Sequence, residues 1–465
     1  MPSVISSGIG SGLDIAGIVQ QLVAAEGQPV EARIARQEAR TQAQLSAFGS
    51  LQSALAEFRD KLEIMQDLQS FLTRKAVSAD EEIFTVSADS SAVPARYSVE
   101  VAQLAQAQKL TSGAFATADT VVGTGTLTIA VGAGSFEVEI TAENNSLAGI
   151  RDAINNAGDN AGVAATIVNA EAGSYLILTA EDTGSDQAMT VTQAGGDGGL
   201  STLTYDPSNG LNALTEAAAA RDAQIFIDGF EVLSSSNTIS GAIDGITLDL
   251  LQASAGAAID LHVDNDEDAV RQTITEFVDA WNHLTETIDS LTAYDPTSEL
   301  AGPLLGDATV RGVQSKIRRE LSAAVESVDL PFSMLSDIGI ETEVDGKLSV
   351  DDAKLSAALS TDFQRLGQLF ANPTDGFATR MFDVANGFLD TDGALETRTS
   401  GLNARIDSYG EQREKLNDRL VALEARLFRQ FNALDALLGQ LSATSNYLTQ
   451  QLANLPTVGD SRDRD

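Results

Sequence analysis

The chain of 465 residues contains no cysteine, two histidines, nine prolines and only 5% aromatic residues. Without cysteine it cannot form disulfides, use a thiolate nucleophile or build a cysteine-ligated zinc site. With only two histidines, a histidine-rich metal centre and imidazole acid/base chemistry are also not expected. These absences argue against the common enzyme classes that depend on either residue.

Positive charge is scarce as well, because 29 Lys+Arg stand against 67 Asp+Glu and give a formal net charge of −38. Such an excess of carboxylates repels phosphate backbones and anionic lipid, so neither nucleic acid nor a membrane is expected as a partner. No apolar run reaches the roughly 18 residues of a membrane span. Residues 1–14 lack the basic and apolar regions of a cleavable signal peptide. The chain is therefore expected in the cytoplasm, or exported by a route that reads no such peptide.

The N-terminal part of the sequence has helical periodicity. Ile15 to Val23 predict a short amphipathic helix, with Asp14 as N-cap and a break at Gly27-Gln28-Pro29. From Val30 to Lys75 there is no proline, and apolar residues recur at spacings of three and four. This narrow seam is typical of a coiled coil and comprises Phe48, Leu51, Leu55, Phe58, Leu62, Met65 and Leu72.

The C-terminal part carries heptads from Leu402 to Leu455, a length of about 80 Å as one helix. Twelve of its sixteen a and d positions are apolar, and the four polar ones are Arg413, Gln430, Thr444 and Gln451. Polar residues in such a seam can serve to fix register. A helix with this stripe cannot bury it alone, so a partner helix is expected.

Residues 76–265 follow a different pattern, in which apolar and polar residues alternate between glycine-rich turns. This period of two predicts strands at 97–101, 127–131, 136–140, 165–168 and 176–178. A helix is expected from Ser146 to Ala157, and Asp228-Gly229 is a hairpin signal. This region has a net charge of −21, whereas residues 395–465 have a net charge of −1. The negative charge is thus concentrated in the middle region, and the two ends are neutral helices suited to self-association.

Residues 266–370 return to helical periodicity, with further helices expected at 307–328 and 351–370. The predicted fold class is therefore α+β multidomain, a long helical coiled-coil stalk built from both termini with inserted β-rich head domains. The expected division is a terminal coiled-coil foot (1–39 and 396–465), a helical leg domain (40–75 and 266–395), a β-rich head domain (76–111 and 221–265) and an outer β-rich head domain (112–220).

Several motifs suggest chemistry but lack the residues that it requires. Gly8 to Gly12 has no preceding strand and no βαβ unit, so a dinucleotide loop is not expected. Asp264, Asp266 and Asp268 start a calcium-loop pattern that lacks its glycine and its final glutamate, and capping of the next helix is the preferred interpretation. The glycine run 195–199 is a single copy rather than a tandem repeat. We therefore predict no catalytic residue, no cofactor and no metal site.

Short segments in a fixed order resemble the flagellar filament cap (FliD, or flagellar hook-associated) family. The opening Gly8-Ile9-Gly10-Ser11-Gly12-Leu13-Asp14-Ile15 is similar to the family's first signature. Further similar segments are Ile18 to Leu22, Tyr97 to Ala105, Ala223 to Gly229, Gly245 to Leu248, Phe277 to Asn282, Gly302 to Asp307, Asp337 to Ile340 and Gly346 to Asp351. The resemblance covers nearly the whole chain except the middle of the head.

This resemblance implies a non-enzymatic structural cap that is exported to the distal tip of the flagellar filament. It implies a homo-oligomeric ring of five or six subunits that promotes flagellin folding and insertion and prevents flagellin loss. Implied partners are flagellin, filament-tip or hook–filament junction proteins and an export chaperone, with glycan or mucin for some members. A secreted adhesin that binds glycan and a glycosidase with two carboxylates are the alternatives.

The residues expected to mediate self-assembly or filament contact lie on the two terminal apolar faces. A single helix can bury such a face only against a partner, and both segments are expected at the foot of the stalk. The N-terminal set is Leu13, Ile15, Ile18, Val19 and Leu22, and the C-terminal set is Leu434, Leu441, Leu448, Leu452 and Leu455.

Overall fold

The computed structural model describes residues 13–254, 256–297, 299–326 and 332–453. It contains long helices at both ends of the chain and antiparallel sheets between them, which confirms the predicted α+β multidomain class. The chain divides into two compact units. Unit 1 comprises residues 1–67, 273–358 and 368–465, and unit 2 comprises residues 68–272 and 359–367.

Helices make up most of unit 1. They are α1 (Ile15–Gln66), α3 (Glu267–Thr292), α4 (Ala308–Leu321), α5 (Asp352–Thr361), α6 (Phe363–Ala371), α7 (Phe377–Leu389) and α8 (Ala394–Ala453), of which α3, α5 and α6 run across the boundary between the units. Unit 1 also has two small hairpins, which pair β18 (Tyr294–Asp295) with β19 (Leu300–Ala301) and β20 (Ile340–Thr342) with β21 (Leu348–Val350).

Helix α1 is continuous through Pro29, so the predicted break at Gly27-Gln28-Pro29 is wrong. The N-cap prediction is confirmed, because the Asp14 carboxylate accepts a hydrogen bond from Gly17 N at 3.0 Å. Proline removes one intrahelical hydrogen bond, but packing along α1 on both sides of it outweighs that local cost. The helix ends at Gln66, so Leu72 is not part of it, and a 3-10 turn follows at Leu68–Phe71.

The predicted seam of α1 forms the helical core of unit 1. Its residues from Phe48 to Met65 are buried, and the Phe58 ring lies 5.7 Å from Trp281 and 5.8 Å from Phe277 of α3. Trp281 is 3% exposed and donates from Nε1 to Gly346 O at 3.0 Å, which satisfies its polar atom. The interpretation of Trp281 as a core residue is therefore confirmed.

Two helix predictions in the second half of the chain need correction. The helix expected at 307–328 is the shorter α4, capped by Asp307, whose carboxylate accepts from Thr309 N at 2.8 Å. The helix expected at 351–370 is split into α5 and α6, because Asp362 starts a new helix and accepts from Arg365 N at 3.1 Å. The Asp362 cap explains the division between α5 and α6, whereas α4 differs from the prediction at its C-terminal end, which is Leu321.

The first pair of sheets in unit 2 encloses one apolar core. A five-stranded antiparallel sheet has the order β1-β17-β3-β13-β14, and a three-stranded sheet has the order β15-β16-β2. Their inward side chains include Val99, Ile225 and Leu261 from the first sheet and Phe84 and Leu248 from the second. The strands are β1 (Arg74–Ser78), β2 (Phe84–Ala88), β3 (Ala95–Gln103), β13 (Ala223–Ile227), β14 (Phe230–Ser234), β15 (Thr238–Ile243), β16 (Ile246–Leu250) and β17 (Ile259–Asn265).

The second pair of sheets in unit 2 encloses a separate core together with α2 (Leu147–Asn155). The sheet orders are β11-β10-β9-β5-β6 and β12-β4-β8-β7. The strands are β4 (Lys109–Thr111), β5 (Gly125–Val131), β6 (Gly134–Ile140), β7 (Val163–Ala170), β8 (Gly173–Ala180), β9 (Met189–Ala194), β10 (Tyr205–Asp206), β11 (Leu211–Asn212) and β12 (Thr215–Ala218).

The local predictions for residues 76–265, which form both pairs of sheets, are confirmed. All five expected strand segments lie within β3, β5, β6, β7 and β8. Ser146 caps α2 through a 3.1 Å hydrogen bond from Gly149 N, and Asp228 and Gly229 both have positive φ in the β13–β14 turn. The glycine run serves packing, since a Cβ on Gly196 (φ +73°) would lie 1.7 Å from Thr124 O.

Candidate functional site

The surface of interest is built on the antiparallel pair of α1 and α8. Leu420 of α8 packs against Gly27 of α1, and Arg413 contacts Glu38 farther along the same pair. Because the higher-numbered residue of α1 contacts the lower-numbered residue of α8, the two helices are antiparallel. This pairing provides the partner helix that the heptads of α8 require.

The two helices share a small apolar core at this level. Ile34 of α1 and Tyr409 and Leu416 of α8 are buried together, with Val30 and Leu420 packed beside them. Each such side chain, when fully buried, stabilises the folded state by about 1.5–3 kcal/mol. These residues, together with the Gly27–Leu420 contact, hold α1 and α8 together at this level.

Arg413, a polar residue in the predicted seam, has a defined partner. Its guanidinium lies 2.5 Å from the Glu38 carboxylate, and the Glu38 side chain is only 20% exposed. Arg419 and Glu26 are 4.0 Å apart and both largely exposed, so that pair is weak. The Arg413–Glu38 ion pair fixes the register of α8 against α1. A shift of one heptad would separate the partly buried Glu38 carboxylate from its partner, which costs free energy.

The N-terminal candidate residues fall into two groups. Ile15 and Val19 are buried and Ile18 is half-buried, so these three form the inner face of α1. Leu13, which precedes the helix, and Leu22 are each 44% exposed. Only the second group is free to contact another molecule in this conformation.

The C-terminal candidate residues remain exposed on α8. Leu434, Leu441, Leu448 and Leu452 are between 47% and 68% exposed, and Leu455 lies outside the described residues. Three further apolar residues on this stretch, absent from the predicted set, are also exposed: Leu437, Leu438 and Tyr447. Leu438 and Tyr447 occupy positions that flank the a/d seam, and this widening of the stripe is the sequence signal that could have identified them.

The register explains why this part of α8 has no apolar neighbour on α1. Ile15 lies twelve residues before Gly27, and Asn432 lies twelve residues after Leu420. Helix α8 therefore extends about 30 Å past the level at which α1 begins. Over residues 430–453 the only charged side chain is Asp435. The result is a long, nearly neutral helix surface with seven exposed large apolar residues.

The described residues offer no comparable site for chemistry. No group of three or more His, Asp or Glu among them is placed to hold a metal ion. Asp266 accepts from Ala269 N at 3.0 Å at the start of α3, which is the capping role expected for it. Gly8 to Gly12 lie outside the described residues. Within the part of the chain that is described, no helix is both long enough and apolar enough to cross a membrane.

Comparison with known proteins identifies relatives along nearly the whole chain. The models for the flagellar hook-associated protein 2 N-terminus and C-terminus match residues 11–108 and 220–443, and a flagellin hook IN motif matches residues 126–182. The B-type flagellar hook-associated protein 2 of Pseudomonas aeruginosa is 35% identical and covers 97% of this chain and 98% of its own length. The flagellar hook-associated protein 2 of Escherichia coli K12 is 36% identical, with coverages of 98% and 99%.

A solved structure agrees with these relatives. The crystal structure of the D1-D2-D3 domains of the flagellar cap protein FliD from Escherichia coli has a TM-score of 0.68 and 35% identity. It covers 77% of this chain and 99% of the crystallised chain. The chain thus belongs to the flagellar hook-associated protein 2 family, the cap proteins of the bacterial flagellum.

Proposed function

We propose that this chain acts as one subunit of a homo-oligomeric ring of five or six copies at the distal tip of the flagellar filament. There it is an exported, extracellular component that helps flagellin to fold and insert, and that prevents flagellin from escaping. The work is mechanical and non-catalytic: subunits hold a space in which flagellin folds, and no bond is made or broken. No cofactor takes part.

The observation that carries this proposal is the apolar stripe of α8, together with membership of the cap family. Seven large apolar side chains between Leu434 and Leu452 are exposed to water. Patches of this kind mark interaction sites on soluble proteins. The segment is also almost uncharged within a chain of net charge −38, so copies can approach there without strong repulsion.

We assign self-assembly and filament contact to the two ends of the chain. The exposed members, Leu13, Leu22, Leu434, Leu441, Leu448 and Leu452, contact neighbouring molecules directly, and we place Leu455 with them from its heptad position. Ile15, Ile18 and Val19 support that surface by fixing α1 on α8. In the domain division proposed here, this foot (1–39 and 396–465) is followed by the leg (40–75 and 266–395), the head (76–111 and 221–265) and the outer head (112–220).

Flagellin is the main partner in this proposal, and the filament tip or hook–filament junction proteins are the surface on which the ring sits. An export chaperone covers the terminal helices before secretion, because the exposed leucines would otherwise promote aggregation in the cell. The relatives, whose names concern the flagellum, give no support to the adhesin alternative.

Deletion of the gene in the source organism tests this proposal. The deletion strain should secrete unpolymerised flagellin into the medium and swim poorly, and the full-length chain supplied in trans should restore both properties. A label on the head should appear at filament tips. Normal filaments in the deletion strain would contradict the assignment.

A further inference from the structure

A stripe of three arginines runs along the outside of α1. Arg33, Arg36 and Arg40 follow one another at spacings of three and four, so they share one helix face about 10 Å long. All three are exposed, and none forms an ion pair with another residue that the structure describes. Glu31 and Glu38, the carboxylates nearest in sequence, lie on the other side of α1, where Glu38 binds Arg413.

A stripe of four carboxylates runs along the outside of α8. Asp407, Glu411, Glu414 and Asp418 follow at spacings of four, three and four and extend over about 16 Å. All four are exposed. Glu411 pairs with Lys415 of the same helix at 3.4 Å, with both side chains about 70% exposed or more. The other three carboxylates have no ion-pair partner among the described residues.

The two stripes lie at the same level of the α1–α8 pair. Leu420 packs on Gly27 and Arg413 binds Glu38, so residues 33–40 of α1 run alongside residues 407–418 of α8. The stripes nevertheless point away from each other. At 3.6 residues per turn, the arginines are centred about 120° around α1 from the buried Ile34 and Thr41, and the carboxylates about 170° around α8 from the buried seam. The carboxylates therefore lie on the side of α8 directly away from α1, and the arginines lie on a different flank of the pair.

We infer that these stripes form a contact between copies, in which the arginines of α1 in one copy face the carboxylates of α8 in the next. This inference rests on the proposed ring and assigns one of its subunit interfaces. The contact is head-to-tail, because each copy offers a different flank to each neighbour. Interfaces of that kind generate closed rings when the rotation between copies closes.

Charge complementarity favours a second copy over another partner. The chain has a net charge of −38, so copies repel unless opposite charges are aligned where they meet. The arginines stay unpaired although carboxylates outnumber basic residues by 67 to 29. Because both stripes lie at the same level of the α1–α8 pair, the arginines of one copy can contact the carboxylates of the next without a shift along the helix axis. Two copies side by side thus match in sign and in level, and the shorter arginine stripe fits within the length of the carboxylate stripe.

Charge reversal in the full-length chain tests the contact. The first variant carries Arg33→Glu, Arg36→Glu and Arg40→Glu, and the second carries Asp407→Lys, Glu414→Lys and Asp418→Lys. Each retains the apolar residues of both helices and the Glu411–Lys415 pair. A control with Arg96→Glu, Arg151→Glu and Arg221→Glu makes the same change in net charge as the first variant, at exposed or half-buried sites in unit 2. Circular dichroism checks that every variant is folded.

Sedimentation velocity over a concentration series at low salt then measures self-association. Each variant alone should associate at least about tenfold more weakly than the wild type, and the wild type should weaken as salt screens exposed charges. An equimolar mixture of the two variants should recover association, because each supplies the charge that the other lacks. The control should behave like the wild type.

Two results would overturn the inference in distinguishable ways. In the first, the wild type associates and either both variants associate as strongly as the wild type or their mixture does not recover association. The proposed contact is then wrong, while the ring proposal stands. If the wild type stays monomeric at every concentration, the ring proposal fails and this contact fails with it.

Discussion

Leu420 of α8 lies directly over the backbone of Gly27 in α1, so closely that a Cβ atom at residue 27 would be 2.7 Å from Leu420 Cδ1. Glycine in the middle of a helix usually costs about 1 kcal/mol relative to alanine. Here it allows close approach of the two helices just before Pro29. The Gly27-Gln28-Pro29 segment is therefore a packing site within a continuous helix.

Replacing Gly27 with valine should destabilise unit 1 by about 1–3 kcal/mol, because the added methyl groups push Leu420 away from α1. Urea unfolding followed by circular dichroism at 222 nm measures the change. Gly49→Val is the matched control, since a Cβ at Gly49 of the same helix meets nothing within 4 Å. The control should keep its stability or gain slightly, because valine has a higher helix propensity than glycine. Equal losses of stability in the two variants would show that the Gly27–Leu420 contact is not responsible.

Replacing Leu441 and Leu448 with serine should weaken assembly and leave folding of the monomer unchanged. Both side chains are more than half exposed, so the folded monomer loses little buried apolar area. An assembled ring that buries them would lose about 1.5–3 kcal/mol for each leucine. Light scattering reports assembly, and thermal unfolding reports monomer stability. A lower melting temperature with unchanged assembly would contradict this role.

A fragment of residues 74–265 should fold on its own. It contains β1 to β17 complete, including the outermost β1, which pairs along its whole length with β17 from Arg74–Asn265 to Ser78–Leu261. It also contains both apolar cores of unit 2. Differential scanning calorimetry should show cooperative unfolding. A broad change without a heat-absorption peak would mean that these cores depend on the rest of the chain.

Acid should loosen the glycine-rich turn at residues 195–199. The Asp197 carboxylate accepts from Gly199 N at 2.9 Å and Thr124 N at 3.0 Å, and these hydrogen bonds lower the pKa of Asp197. A carboxyl whose folded pKa is lowered stabilises the fold above its unfolded pKa, and this contribution is lost as the pH falls below about 4.

Amide hydrogen exchange at Thr124 and Gly199 measures the effect. Protection of both amides should fall on acidification in the wild type and should already be low at neutral pH in Asp197→Asn. Asp119→Asn, at another exposed aspartate of unit 2, is the control and should leave both amides protected. Unchanged protection in Asp197→Asn would show that a neutral side-chain oxygen holds the turn and that the negative charge is not needed.

Most of the fold could be predicted from periodic patterns in the sequence. Alternation located the strands of unit 2, and spacings of three and four located α1, α3 and α8, because each pattern reflects a face that must be buried. The Asp14 and Ser146 caps were predictable for the same local reason, since a side-chain oxygen must satisfy free helix N–H groups. The errors lie at Pro29, where packing outweighs a local break signal, at Asp362, where a local cap divides a predicted helix, and at the early C-terminal ends of α1 and α4.

The candidate site was only partly accessible from the sequence. Heptads identified Leu434, Leu441, Leu448 and Leu452 as apolar, but periodicity alone could not show which segment of α1 lies opposite them. That depends on the Gly27–Leu420 contact and on Arg413–Glu38, which are tertiary features. Periodicity also could not show that Ile15 and Val19 are buried while Leu22 is exposed, because the three residues share one helix face.

The single tryptophan gives the molecule an intrinsic optical reporter. Trp281 is enclosed by Phe58 and anchored to Gly346 O, and all three residues belong to unit 1. Its fluorescence emission should therefore be blue-shifted in the folded protein and should move to longer wavelength when unit 1 opens. Opening of unit 1 can thus be followed in the intact chain without attaching a dye.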